Sequence, residues 1–127
     1  MASHIYINSD KGPGPYAALS QATVFNGLVF CSGALGVDPV TMEMVEGNIA
    51  NRTTRALENI KIILEEAGSG VDKVLKVNIF VTSISDVAEL NKAYNGFFTE
   101  PRPARACVAV KELARGTDVE IECVAHV

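Results

Sequence analysis

Apolar and polar residues alternate along several short segments of the chain, as they do in strands with one buried face. Asn26 and Gly27 separate two of these segments, and this dipeptide predicts a tight hairpin because both turn positions need a positive φ. Strands are predicted over residues 3–7, 22–25, 28–32, 74–82, 104–110 and 119–126.

Two other segments repeat their apolar residues at helical intervals. Residues 48–67 predict a long amphipathic helix, and Gly68 follows as a stop signal. A second helix is predicted to begin at Ser85 or Asp86, where Asp86 and Glu89 match an acidic variant of the capping box, and to end near Phe98. Its buried stripe is expected to be Val87, Leu90, Tyr94 and Phe97.

The order βββαβαββ predicts one domain, residues 1–127, of the α+β class, in which two helices cover one face of a mixed sheet. Alternation in the fourth strand should bury Leu75, Val77, Ile79 and Val81 and turn Lys76, Asn78 and Phe80 to the other face. On the same parity the uncovered face is expected to carry Phe80, Cys107 and Val124 among Lys76, Arg105, Glu120 and Glu122. This mixture is too apolar to be left in water, so we expect another subunit to cover it.

Composition and charge narrow the function classes. The 127 residues carry a net charge of −4, and their scattered Lys and Arg form no basic block, which argues against nucleic acid as a partner. The longest apolar run is far below the roughly 20 residues of a membrane helix, and the first ten residues lack a leader pattern, so a cytoplasmic location is the default expectation.

Cysteine and histidine usage gives no sign of a metal site. Cys31, Cys107 and Cys123 lie in predicted strands without the spacing of metal ligands, so we expect reduced thiols that pack as small hydrophobic side chains. His4 and His126 stand at opposite ends of the chain. No structural or catalytic metal is predicted.

Arg105 is the strongest candidate for chemistry, because it interrupts the small apolar strand Ala104, Ala106, Val108 and shares its face with Cys107. A guanidinium offers a planar fork of donors that fits a carboxylate. Glu120 falls on the same side of a strand expected to neighbour that of Arg105, so a carboxylate clamp and an acid or base would face one pocket. On spacing alone, an exposed cross-strand ion pair is the simpler interpretation.

Taken together, these segments resemble the RidA family, the reactive intermediate deaminases of the YjgF type. Each motif is weak by itself, but their order along nearly the whole chain is specific. The matching pieces are Gly14-Pro15-Tyr16, Ser20-Gln21-Ala22, Asn26-Gly27, Cys31-Ser32-Gly33, Asp38-Pro39, residues 55–60, the strand at 74–82, residues 91–98, Pro103-Ala104-Arg105 and Val119-Glu120-Ile121-Glu122.

The resemblance implies a chorismate-mutase-like fold of the bacillary type, assembled as a homotrimer with ligand sites between subunits. It implies hydrolysis of 2-aminoacrylate, 2-iminobutyrate and similar enamines or imines to 2-oxo acids and ammonia, without a cofactor. Arg105 would then clamp the substrate carboxylate and Glu120 would orient or deprotonate water. Backbone around Cys107 would contribute hydrogen bonds, Tyr16 would close the pocket, and Ser32 and Asn91 would line it.

Each of these assignments has a plainer alternative. Cys107 has no nearby histidine in sequence and is expected to pack rather than attack. Tyr16 would plug the edge of the core, Ser32 would form a hydrogen bond with the backbone at a strand end, and Asn91 would be an exposed helix residue.

The substrate range and the function class stay open at this point. Ala34 replaces a glutamine common in relatives, which leaves the substrate range open. Other functions left open are a trimeric carboxylate-binding regulator without turnover and a translation-inhibiting endoribonuclease, and some relatives act in mitochondria.

Overall fold

The computed structural model describes residues 3–127 and contains six strands and two α-helices. The strands and helices follow the predicted order, and most boundaries agree to within two residues. They are β1 (Ile5–Ile7), β2 (Ala22–Phe25), β3 (Leu28–Ala34), α1 (Ile49–Glu66), β4 (Val74–Val81), α2 (Val87–Phe97), β5 (Ala104–Ala109) and β6 (Val119–His126).

All six strands form one mixed sheet in the order β1-β2-β3-β6-β4-β5. The predicted hairpin is confirmed: Asn26 has φ 50° and Gly27 has φ 76°, the positive values that a two-residue turn of this type requires. Only β4 and β5 pair in parallel, because α2 carries the chain back to the start of the sheet between them.

The first helix begins where the sequence indicates. The side chain of Asn48 accepts a hydrogen bond from the Ala50 backbone, and Asn51 bonds back to the Asn48 backbone, so a capping box holds the first turn. Gly68, with φ 81°, follows the last turn. The helix buries an apolar stripe on the sheet that includes Ala56, Leu57 and Leu64, each fully buried.

Two local predictions are wrong. Leu75 is 47% exposed, because a bulge between Val74 and Lys76 shifts the register against β6 and turns Val74 into the core instead. Asp86 does not cap α2: it lies in helical conformation at the end of a short 3-10 turn, Ile84–Asp86, and its side chain makes no capping hydrogen bond. In the predicted stripe of α2, Leu90 and Tyr94 are buried while Val87 and Phe97 are only partly covered.

Both helices pack on one face of the sheet, as predicted, and the other face is open in the single chain. One row across the open face runs Tyr6, Thr23, Phe30, Val124, Lys76 and Ala104 in register. Large apolar side chains are at least one-third exposed there: Tyr6, Phe25, Leu28, Phe30 and Val108. The open face is therefore more apolar than predicted.

Arg105 and Cys107, however, do not lie on the open face. They pair in register with Val77 and Ile79, whose side chains point into the helix-covered core. The alternation within β5 was predicted correctly, but its orientation was predicted the wrong way round. Ala104, Ala106 and Val108 face outward, because small side chains do not by themselves distinguish a covered face from an open one.

Candidate functional site

A cavity of about 260 Å³ opens beside the end of β3, between the 13–21 loop, α1 and the turn at residues 114–115. Its walls are mostly apolar, with side chains such as Leu35, Ile60 and Ile63. Three of the predicted site residues line it: Tyr16, Ser32 and Glu120. An apolar pocket with a few converging polar groups is the usual form of a small-molecule site.

Glu120 reaches this cavity because Gly33 has no side chain. A Cβ at Gly33 would lie 2.6 Å from the Glu120 Oε2 atom, so any larger residue would displace the carboxylate. Burial, with repulsion from the neighbouring carboxylate of Glu122, raises the pKa of Glu120. No basic side chain pairs with Glu120 among residues 3–127. A carboxyl group in this state is suited to exchanging a proton with a bound molecule.

The loop that carries Tyr16 is held by a buried residue to which the sequence analysis gave no role of its own. The Gln21 side chain accepts from the Ser9 backbone and donates to the carbonyl groups of Ser9 and Pro13. The Ser32 hydroxyl donates to the Ser20 carbonyl at 2.7 Å, so the alternative role of Ser32 in satisfying backbone is present as well. The position of Gln21 next to a Gly-Pro loop was the sequence signal that could have indicated its role in holding the loop.

Arg105 lies elsewhere. Strand β4 separates β5 from β6, so the prediction that the strands of Arg105 and Glu120 are neighbours is wrong. Neighbouring strands are about 4.8 Å apart, which puts these two strands roughly 10 Å apart before their side chains leave on opposite faces. The Arg105 guanidinium stacks over the Tyr94 ring, with Cζ 4.5 Å from the centroid. In one chain, therefore, Arg105 and Glu120 do not face one pocket.

Cys107 and Asn91 lie on the same side of the molecule as Arg105. Val110 donates its backbone N–H to Val81 of β4, and N–H groups alternate along a strand, so those of Arg105 and Cys107 point off the free edge of the sheet. The Cys107 side chain is half-buried against the core, and its thiol is free, like those of Cys31 and Cys123. Asn91 is also half-buried rather than exposed, and its Oδ1 atom is buried without a hydrogen-bond partner in the part of the chain described.

A second carboxylate lies close to Glu120 in sequence. Asp118 forms a bidentate ion pair with Arg52, with distances of 2.7 and 2.8 Å, and this partner lowers the pKa of Asp118. Arg52 also donates to the carbonyl groups of Val45 and Gly47. The pair joins α1 to the start of β6, a contact over 66 residues of sequence that no local pattern indicates.

The residues described hold no cluster of three or more His, Cys, Asp or Glu side chains that would bind a metal ion. Neither α-helix is long and apolar enough to cross a membrane, as far as the chain is described.

Comparison with known proteins decides the family. The family model described as Endoribonuclease L-PSP matches residues 9–127. The chain belongs to this family, which is the RidA or YjgF family that the sequence resembles. Among other members, a RutC family protein from Pyrococcus abyssi is 38% identical over 120 residues, with 94% of each chain covered. The protein HMF1 from Saccharomyces cerevisiae is 41% identical, with 91% of this chain and 89% of HMF1 covered.

Solved structures of the family have the same fold. RidA from an Antarctic Psychrobacter is 41% identical, with a TM-score of 0.92 over 97% of this chain and 99% of that one. TdcF of E. coli, solved with bound serine, is 32% identical, with a TM-score of 0.91 over 97% and 98% of the two chains. The α+β family fold with a mixed sheet and two helices is thereby confirmed.

Proposed function

We propose that the protein is a hydrolytic deaminase of small 2-imino and 2-enamino acids, such as 2-aminoacrylate and 2-iminobutyrate, and releases 2-oxo acids and ammonia without a cofactor. One observation carries the proposal. Glu120, a carboxyl group with a raised pKa and no ion-pair partner among residues 3–127, lines a mostly apolar cavity, while Arg105 lies without a carboxylate partner on the other face of the sheet. In an imino-acid site Glu120 would exchange the protons and Arg105 would hold the carboxylate.

The chemistry needs few groups, because an imine carbon is already electrophilic. A water molecule adds to the carbon of the protonated imine while the Glu120 carboxylate takes a proton from that water, which gives a carbinolamine. Glu120 then passes the proton to the nitrogen, the C–N bond breaks, and ammonia leaves as the hydroxyl group returns its proton to Glu120 and the C=O bond forms. An enamine first takes a proton at its β-carbon to become the imine. Arg105 would hold the substrate carboxylate throughout.

A homotrimer would bring the two halves together. The open face of the sheet exposes Tyr6, Phe25, Phe30 and Val108, a surface suited to burial against other copies of the chain. We propose that the free edge of β5 in one copy lies against the cavity of the next. Arg105, Asn91 and the outward backbone N–H of Cys107 would then meet Glu120, Ser32 and Tyr16 across the boundary.

The comparisons support the substrate class in part. TdcF was solved with serine, an amino acid with the carboxylate and nitrogen that an imino acid also carries. For location, we propose the cytoplasm or the mitochondrion. The relative mmf1 of Schizosaccharomyces pombe, 40% identical, is named as mitochondrial.

The test combines single variants with mixing. A dehydratase generates 2-aminoacrylate in the assay, and ammonia release is compared with the uncatalysed rate. Arg105→Ala should lose about 2–4 kcal/mol of transition-state stabilisation while circular dichroism shows a folded protein. Glu120→Gln should also be inactive.

Mixing the two inactive variants tests whether the site is shared. If each site takes Arg105 and Glu120 from different copies, co-refolding the variants in equal amounts should restore about a quarter of the wild-type activity, since random assembly pairs the intact residues at one boundary in four. Absence of recovery would refute the shared site, and wild-type activity in Arg105→Ala would refute the clamp.

Two other functions remain candidates. The bound serine of TdcF also fits a carboxylate-binding regulator without turnover, and the assay separates this function because such a protein would bind 2-oxobutyrate and leave hydrolysis at the uncatalysed rate. The family description names an endoribonuclease. The net charge of −4 and the scattered basic residues disfavour RNA, and RNA cleavage that survives Arg105→Ala would favour that function instead.

A further inference from the structure

Tyr94 is among the largest fully buried side chains of the protein, with 2% of its surface exposed. Its ring nevertheless borders the proposed carboxylate clamp, since the Arg105 Cζ atom lies 4.5 Å above its centroid. This distance is well within the range at which a guanidinium is attracted to the negative face of an aromatic ring. One face of the Arg105 guanidinium is therefore covered by a ring that belongs to the core.

The platform under Arg105 is rigid. The Tyr94 ring packs on Phe98 with centroids 4.9 Å apart, and Phe98 in turn meets Phe97 edge-on at 5.1 Å. A tyrosine fixed in this way cannot turn aside when the guanidinium moves. An arginine side chain has four rotatable bonds and loses much conformational freedom when it binds a ligand, so a fixed stacking surface reduces that loss.

Nothing else of comparable strength holds the guanidinium. Within residues 3–127, Arg105 has no ion pair. Arg102, three residues earlier, bonds to the carbonyl groups of Phe98 and Asn95 and to Glu100. The donors of Arg102 thus bind groups at the end of α2. Arg105 instead has its flat face supported by the Tyr94 ring and makes no ion pair in the described part of the chain.

The Tyr94 hydroxyl adds a polar atom at the same place. It is buried and has no hydrogen-bond partner among the residues described, and neither has Oδ1 of Asn91, one helical turn earlier on α2. Burial raises the pKa of Tyr94, while the nearby charge of Arg105 acts in the opposite direction. The hydroxyl therefore stays protonated at neutral pH, and its oxygen is available to accept from a guanidinium N–H.

We propose that Tyr94 is a positioning residue for Arg105: its ring sets the plane of the guanidinium so that the free donors face a substrate carboxylate, and its hydroxyl limits rotation within that plane. The proposal rests on the proposed function, in which Arg105 binds the carboxylate. It assigns to Tyr94 no contact with the substrate. Its effect should therefore appear in carboxylate recognition rather than in the proton transfers at Glu120.

The test measures the preference for a carboxylate, which is the ratio of the affinities for an acid and for its neutral amide. A loss of folded protein alone does not change this ratio. Binding of 2-oxobutyrate and of its neutral amide, 2-oxobutanamide, is measured by calorimetry for wild type, Tyr94→Phe, Tyr94→Leu and, as a packing control, Val29→Ala, which alters a fully buried residue of β3 away from β5. Tyr94→Leu should reduce the preference for the carboxylate about 3- to 30-fold, the value of a cation–π contact. Tyr94→Phe should reduce it less than about threefold because the ring remains. Val29→Ala should lower stability and leave the preference unchanged.

A series of fluorinated phenylalanines at position 94 keeps the test decisive if Tyr94→Leu does not fold. Fluorine withdraws electron density from the ring face at almost constant shape, so the preference for the carboxylate should fall steadily with each added fluorine. A preference that stays at the wild-type value across the series, or in folded Tyr94→Leu, overturns the role of Tyr94. A wild-type protein that binds acid and amide equally would instead overturn the proposed clamp at Arg105, so the two failures are distinguishable.

Discussion

Asp118 and Glu120 lie two residues apart at the start of β6, and the fold places their carboxylates in opposite environments. Asp118 is held by both nitrogens of the Arg52 fork, which lowers its pKa. Glu120 is placed in an apolar cavity next to another acid, which raises its pKa. Two neighbouring carboxyl groups whose pKa values are driven apart are typical of a division between a structural and a reactive role.

The two carboxylates also affect the folding stability of the protein in opposite directions. A carboxylate whose folded pKa is raised contributes stability that is present at low pH and lost as the pH rises through that pKa. A carboxylate whose folded pKa is lowered contributes stability that is present at neutral pH and lost as the pH falls through its lowered pKa. At neutral pH Asp118 thus stabilises the fold, whereas ionised Glu120 lowers its stability, which is the trade-off expected of a residue with a role in function.

The largest effect should come from Glu120→Gln. The amide is isosteric but cannot take a proton from water, so kcat for 2-aminoacrylate hydrolysis should fall on the order of 10²–10⁴-fold. The same variant should unfold at an unchanged or higher temperature at pH 7, because it removes a charge that burial disfavours. Calorimetry of the two proteins at pH 7 checks this sign. A Glu120→Gln protein that is active, or that is strongly destabilised, would give Glu120 the role assigned here to Asp118.

Asp118→Asn should show the reverse pattern. Loss of the charge-assisted pair leaves Arg52 mostly buried without its partner, which should cost about 2–3 kcal/mol of unfolding free energy at pH 7. Because the pKa of Asp118 is lowered, the difference between wild type and variant should shrink as the pH falls below the ordinary range of an aspartate. Urea titrations at pH 7 and pH 3 measure this. Activity per folded molecule should stay within about threefold of wild type, and a much larger loss would tie Asp118 to the reaction.

Gly33→Ala tests whether the position of the Glu120 carboxylate matters. The added methyl group would lie 2.6 Å from Oε2, so the carboxylate must move, and kcat should fall about tenfold or more. Gly96→Ala in α2 is the matched control, because nothing lies within 4 Å of its added Cβ and alanine favours a helix. Equal activities of the two variants would mean that the carboxylate is free to act from more than one position.

Local parts of this arrangement could be predicted from sequence. The Asn26-Gly27 turn, the start of α1 near residue 48 and the stop at Gly68 were each predicted from residues next to them, and the structure has all three. The resemblance to RidA proteins also selected Tyr16 and Glu120, which share a cavity.

The non-local parts could not be predicted. Nothing in β5 or β6 indicates that β4 is inserted between them, since strand order depends on which distant edges pair. Alternation divided β5 into two faces but could not orient them, because Ala104 and Ala106 suit either environment. The separation of Arg105 from Glu120 followed from these two facts. The ion pair of Arg52 with Asp118 was missed for the same reason, as its partners belong to different layers.

Glu122→Gln should produce the smallest effect and the most specific one. Glu122 lies two residues after Glu120 on the same face, accepts a hydrogen bond from Asn78 at 3.3 Å, and is the second cause of the raised pKa of Glu120. Removing its charge should therefore lower the pKa of Glu120. The activity of a general base falls as it becomes protonated, so the acid limb of the pH profile of kcat should move to lower pH, by less than about one pH unit for a partly solvated pair.

The plateau of kcat at high pH should not change, since the base itself is intact. A shift to higher pH would mean that Glu122 supports the charge on Glu120 through a hydrogen-bond network instead of opposing it, and an unchanged profile would mean that a group other than Glu120 sets the acid limb.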